Sequence, residues 1–184
     1  MKRIVILSNH HAYTYNFRKE IIQKLIDENY QIYLVLPYGE KVELLKDMGC
    51  TFIDLQLDRR GTSPLKDSKL LFNYFKILKR IKPDAVLSYT IKPNIYGGIV
   101  CRMLNIPFFP NITGLGTAME KESLLQKILI RFYKLAYKNA SCIFFQNEEN
   151  YNFFIRNKID IKKLSYYPRI WCEYRLLSSL TIPF

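Results

Sequence analysis

The feature that most constrains this chain is an alternation. Short β-rich runs take turns with stretches of helical period, from the first residues to about residue 156. Residues 3–7, 31–36, 51–57, 85–88, 107–111 and 142–146 read as strands. Residues 15–29, 40–48, 68–82, 94–104, 123–139 and 148–156 read as helices. A helix between successive strands is the crossover that parallel pairing requires. The pattern therefore predicts an α/β fold, a Rossmann-like doubly wound parallel sheet covered by helices on both faces. Pro37 stops the second strand, and Gly49 suits the C-terminal cap of the second helix. The Gly97-Gly98 pair would let its helix lie close on the sheet. No repeat or low-complexity linker interrupts residues 1–158, which read as one domain. Residues 159–184 do not continue the pattern and read as an atypical tail.

Composition narrows the class. At 184 residues, 49% hydrophobic and 15% aromatic, the chain can fill a core, which excludes disorder. A net charge of +12 attracts anions such as nucleic acid, an acidic membrane surface or a phosphorylated ligand, or else serves solubility alone. Cys50, Cys101, Cys142 and Cys172 form no CxxC pair, and His10 and His11 are the sole histidines, so no metal site is expected. Scattered cysteines fit a reducing cytosol. Only four apolar residues follow Met1-Lys-Arg, too few for a signal peptide. No run approaches the ~18 apolar residues of a membrane span. The chain is expected to be cytoplasmic and soluble, or at most peripheral to a membrane.

Candidate chemistry sits at strand ends, where parallel α/β sheets bind ligands. The loop after the first strand carries Asn9, His10, His11, Asn16 and Arg18. The histidines could bond a ligand or act as a base, or be plain loop residues. Arg18 is expected in the first turn of a helix, where the dipole disfavours a cation, so it either reaches an anion or is a surface arginine. Residues 88–98 place Thr90, Lys92 and Asn94 between a strand end and a helix start, with Lys92 able to neutralise a phosphate. Residues 111–117 add Thr113, Gly114, Gly116 and Thr117, whose backbone N–H groups could hold an anion. The G-x-G-x-x-G and G-x-x-x-x-G-K-[ST] fingerprints are absent, which argues against a dehydrogenase and a P-loop ATPase. No nucleophile elbow and no RNA-recognition aromatic motif occurs either.

The helix at 123–139 is amphipathic. Leu124, Leu125, Ile128, Leu129, Phe132, Leu135 and Ala136 form its apolar side, and Lys127, Arg131, Lys134 and Lys138 a basic stripe. Lys69, Lys76 and Arg80 form a similar stripe on the helix at 68–82. The favoured reading buries the apolar side in the core and leaves the basic one solvated. The other lays the helix on an anionic membrane.

The words Asn16-Phe-Arg, Gly49-Cys, Leu57-Asp-Arg-Arg-Gly, Lys82-Pro-Asp, Tyr89-Thr-Ile-Lys-Pro-Asn-Ile-Tyr-Gly-Gly, Asn111-Ile-Thr-Gly-Leu-Gly-Thr and Phe144-Phe-Gln-Asn together resemble the N-terminal domain of family 4 glycosyltransferases. Those enzymes have the GT-B architecture, two Rossmann-like domains facing across a cleft. The nearest branch builds bacterial capsular polysaccharide, O-antigen and related glycans on a lipid carrier. The resemblance implies that residues 1–158 are the acceptor-side half of the fold. It implies a nucleotide-sugar donor, in the first place a UDP-sugar, and a lipid-linked saccharide acceptor. Most donor contacts and the catalytic glutamate pair would lie in a second domain, so this chain alone is expected to turn over little or nothing. In the family, a P-G-[SF]-G-V-[ND] turn opens that domain. Here Pro168-Arg-Ile-Trp-Cys-Glu-Tyr stands at the corresponding place, and a back-translation read one base later can encode Pro-Gly-(Ser or Phe)-Gly-Val-Asn. The tail is accordingly expected to be frameshifted. The rival reading is a non-catalytic basic domain that binds an anionic membrane surface or a protein partner; nucleic acid ranks last, and none is expected.

Overall fold

The computed structural model describes residues 1–58, 61, 63–116 and 123–159, and the backbone of 164–166. Seven strands form one parallel sheet in the order β3-β2-β1-β4-β5-β6-β7. They are β1 Arg3–Leu7, β2 Gln31–Leu36, β3 Thr51–Asp54, β4 Ala85–Tyr89, β5 Phe108–Ile112, β6 Ile143–Phe145 and β7 Leu164–Tyr166. The helices are α1 His11–Asp27, α2 Val42–Asp47, α3 Pro64–Ile81, α4 Gly98–Leu104, α5 Leu124–Tyr137 and α6 Glu148–Arg156. One π-turn, Pro93–Gly97, runs directly into α4.

Side chains along β1 alternate between two cores, as a period of two requires. Val5 and Leu7 pack under α3, α4, α5 and α6, whereas Ile4 and Ile6 pack under α1 and α2. The central strands β1, β4, β5 and β6 are therefore buried on both faces, whereas the edge strand β3 exposes Thr51 and Asp54. Gly97 and Gly98 make the close approach expected of them. A Cβ on Gly97 would lie 2.5 Å from a Leu7 methyl, and one on Gly98 2.8 Å from the Phe108 ring and 3.0 Å from Ala136. Gly49 follows α2 at φ +103°, the left-handed conformation of a helix stop. Cys50 and Cys101 are buried, and burial pushes the Cys50 thiol up to about 12, so it behaves as a small apolar group.

Several elements differ from the sequence reading. Helix α1 begins at His11, not residue 15, because the His10 ring caps it: its Nδ1 accepts from the Ala12 amide at 3.1 Å. Helix α3 begins at Pro64, whose missing N–H costs nothing in a first turn. A seventh strand, β7, pairs in parallel with β6 in a stretch where no element was expected. The largest difference concerns α5. It buries Tyr133, Ala136 and Tyr137, while Leu124, Leu125, Ile128, Phe132 and Leu135 remain exposed. Of the apolar side read from the pattern, only Ala136 and Leu129 reach the core, because tyrosines fill much of the inward side. Their rings stack with Phe108 and Phe154 and fill the core there.

Candidate functional site

The strand order reverses between β1 and β4, whose following elements leave to opposite faces and open a crevice at the carboxyl ends. A cavity of about 320 Å³ lies there, lined by Ser8, Tyr13, Thr14, Phe17, Arg18, Tyr89, Thr90, Thr113 and Gln146. The ends of β1, β4, β5 and β6 supply its floor. The first turns of α1 supply its wall: residues 13, 14, 17 and 18 share one side at helical spacing. A larger hollow, about 620 Å³, lies at the opposite edge beside Lys2, Lys82 and Asn105. Helices α3 and α4 end there in left-handed caps, so their dipoles present negative poles, and it has none of the strand-end loops.

Arg18 is the chemical centre of the cavity. It is 5% exposed, its guanidinium carbon stands 4.4 Å from the centre of the Tyr89 ring, and Nη1 donates to the Phe17 carbonyl at 3.1 Å. Because α1 starts early, Arg18 lies in its second turn or beyond, and the reading as a surface arginine is overturned. Among the described residues no carboxylate pairs with it. A buried, unpaired guanidinium facing a cavity is costly unless something anionic or strongly polar completes it.

Thr90 is the second marker. Its φ of 74° is left-handed, rare for a β-branched residue, and its hydroxyl is buried without a hydrogen-bond partner. Asn9, at the end of β1, likewise has a buried amide oxygen without a partner. Tyr13 and Phe17 are exposed at the mouth, their rings 6.2 Å apart, with the His10 ring tilted against Tyr13 at 4.7 Å. Apolar ring faces beside a few convergent polar groups are the usual make-up of a small-ligand site.

The other candidates fall around this centre. Thr113 lines the cavity. Asn16 points out from α1 into solvent. His10 holds the start of α1, and the His11 Nδ1 accepts from the Lys41 amide at 3.3 Å, bracing the loop after β2 against α1. Asn94 is buried and both ends of its amide are engaged: Oδ1 accepts from the Ser88 hydroxyl at 2.6 Å, and Nδ2 donates to the Asn111 carbonyl at 3.0 Å. Lys92 makes a 2.6 Å ion pair with Asp67 on α3. Asp67 also bonds the Tyr96 phenol, which burial and then this carboxylate push well above its ordinary value. Gly116 is left-handed at φ +71°, whereas Gly114 stands in open space. Thr117 lies outside the described residues, as do Arg59, Arg60 and Thr62 of the polar loop before α3. Tyr13, Thr14, Phe17, Tyr89 and Gln146 were not among the candidate site residues, although Phe17, Tyr89 and Gln146 stand in the words that carry the resemblance. The usable signal was the 13/14/17/18 spacing, once the true start of α1 is known. Among the described residues no three His, Cys, Asp or Glu side chains cluster as a metal site would need.

Comparison with known proteins follows this geometry. A sequence model described as glycosyl transferase 4-like matches residues 3–147. The chain is 31% identical over 156 residues to the N,N'-diacetylbacillosaminyl-diphospho-undecaprenol alpha-1,3-N-acetylgalactosaminyltransferase of Campylobacter jejuni subsp. jejuni serotype O:2, covering 82% of this chain and 42% of that protein. Among solved structures, a glycosyltransferase from Rickettsia africae superimposes with a TM-score of 0.67 at 12% identity, over 90% of this chain and 42% of that one. Anabaena HepE in complex with UDP gives 0.61 at 16% identity, over 90% and 43%. These likenesses carry the fold: one Rossmann-like unit of the GT-B architecture. The chain spans less than half the length of these relatives.

Proposed function

The chain belongs to the glycosyl transferase 4-like family, and from that premise we propose that its cavity is the acceptor side of a sugar-transfer cleft. The observation that carries this is Arg18, buried, without a carboxylate partner among the described residues and facing the cavity beside Tyr89. An acceptor bearing a diphosphate would complete that charge. The faces of Tyr13 and Phe17 would stack on its saccharide, and the hydroxyls of Thr90 and Thr113 would bond its sugar hydroxyls. The relative from Campylobacter is named for a saccharide carried on a diphospho-lipid, which supports this choice of ligand.

The complete reaction would move a sugar from a nucleotide-sugar, in the first place a UDP-sugar, to a lipid-linked saccharide in the building of a surface glycan such as capsule or O-antigen. UDP in the HepE structure supports the donor class. Such an acceptor is confined to a membrane, so the protein would work on the cytoplasmic face of one. Residues 1–158 would form the acceptor domain; the donor and catalytic groups would lie in the part of the relatives that this chain does not span. Binding measurements with a short-chain polyprenyl-diphospho-saccharide test the reading. We expect the 184-residue chain to bind it, Arg18→Gln to weaken binding at least tenfold, and UDP-sugar alone to bind feebly. Failure to bind any such acceptor would sink the acceptor-side reading, and sugar transfer by the purified chain would sink the half-cleft reading.

A further inference from the structure

The direction of the Arg18 fork has to be set by something outside α1. Its Nη1 donates to the carbonyl of Phe17, the residue before it on the same helix, at 3.1 Å. That bond ties the head of the side chain back to its own backbone and leaves the plane of the guanidinium open. A guanidinium is fixed in one plane either by a paired carboxylate or by a flat partner on which it stacks. Among the described residues no carboxylate pairs with it. The flat partner is Tyr89, whose ring centre lies 4.4 Å from the guanidinium carbon.

Tyr89 is the rigid member of this pair. It is the last residue of β4, it is buried, and it pairs in register with Asn111 of β5. Strand β4 is flanked by β1 on its other side. The residue before Tyr89, Ser88, is tied through the Asn94 amide to the Asn111 carbonyl, which closes the backbone around the ring. Arg18, by contrast, hangs on a long stem with several rotatable bonds, whose freedom opposes any bond its head makes. Both residues line the same cavity. A ring fixed in the sheet restricts that stem before a ligand arrives, so the ordering is not charged to binding.

We propose that Tyr89 is a positioning residue: its ring face holds the Arg18 guanidinium turned towards the cavity, in the orientation that receives the anionic group of the acceptor. The inference rests on the acceptor-side reading for the identity of that ligand. The choice of an aromatic partner has a chemical reason. A carboxylate in the same place would hold the fork as well, but it would neutralise the charge and compete with a diphosphate. A ring face attracts the cation through its quadrupole and leaves the charge intact. Any aromatic ring at this position would serve, and the phenol group is not required.

Two measurements test it. The first needs no ligand: the Arg18 Nε–H resonance in nitrogen–proton correlation spectra, identified by its loss in Arg18→Gln. A proton over an aromatic face is shifted upfield. The resonance should be shifted in the parent and in Tyr89→Phe, and should return to the ordinary arginine range in Tyr89→Leu and in Tyr89→Met, which fills more of the vacated space. The same spectra verify that each variant folds. An unshifted resonance in the parent, or one that folded ringless variants leave in place, overturns the proposal. The second measurement is binding of a short-chain polyprenyl-diphospho-saccharide. Tyr89→Leu should weaken it by about fivefold or more, but by less than about twofold once Arg18→Gln is present, because the two residues act through one interaction. Tyr89→Phe should restore most of the binding. An equal loss in both backgrounds would make Tyr89 a plain core residue or a separate ligand contact and overturn the proposal, as would a Tyr89→Phe variant that binds as weakly as Tyr89→Leu. If the parent binds no acceptor, the acceptor-side reading falls, while the resonance still decides whether Tyr89 orients Arg18.

Discussion

Thr90 holds the most expensive backbone in the cavity. A β-branched side chain at φ 74° strains against its own carbonyl, at a cost on the order of 1–3 kcal/mol. The strain turns the chain from β4 into the π-turn and aims the hydroxyl at a place where it finds no protein partner. Thr90→Gly should relieve the backbone and raise stability by about 1 kcal/mol, the larger entropy of an unfolded glycine offsetting part of the gain. Acceptor binding should fall in the same variant, since the hydroxyl is gone. A lower melting temperature would show that the conformation is not strained. Arg18 illustrates a different point at this scale. Its identity was legible in the sequence, but its burial depends on where α1 begins, which a histidine cap decided.

Among the elements, the joint between β4, the π-turn and β5 positions the cavity floor. Ser88, Asn94 and Asn111 are all nearly inaccessible, and one amide links them. Asn94→Ala would leave the Ser88 hydroxyl buried without its acceptor, which costs about 1–3 kcal/mol. Urea unfolding should report that loss; an unchanged midpoint would mean that water replaces the amide. Gly98 reinforces the joint from the other side. An added Cβ there meets the Phe108 ring and Ala136 rather than open space, so the Gly-Gly pair reflects packing. The wording of this segment was readable in the sequence as special. Its main duty in the structure is to pin three elements together, with Lys92 tied to Asp67 and Asn94 enclosed. The cavity-facing groups, Tyr89 and Thr90, stand immediately before it.

For the molecule as a whole, the core beneath α3, α4, α5 and α6 encloses three tyrosines among its aliphatic residues. Tyr74, Tyr133 and Tyr137 are fully enclosed, their phenol oxygens without partners, and burial raises all three above the ordinary value. A folded-state value above the unfolded one stabilises fully below the unfolded value of about 10 and less as the pH climbs past it. The fold should therefore fail above pH ~10, with these three phenols ionising only on unfolding. Absorbance at 295 nm followed beside circular dichroism would show it. If all 14 tyrosines titrate together while the fold persists, the enclosure is wrong. The same tyrosines explain the outward turn of α5. Rings that fill the core displaced the leucines from it, and they left an apolar arc beside a basic one.

Local sequence determined the elements, their order and the fold class, because strand and helix periods depend on near neighbours and crossovers force parallel pairing. The words at residues 88–98 and 111–117 determined the family. Tertiary structure alone decided three other things. It decided which side of α5 faces the core, since large amphipathic rings and leucines compete for one space. It decided that Lys92 and Asn94 are engaged within the protein, since their partners lie 25 and 17 residues away. And it decided that Arg18 is buried in a cavity, since that depends on four strand ends and one helix meeting where the strand order reverses. Periodicity reports the chain's neighbours in sequence, whereas burial and charge pairing are settled by neighbours in space.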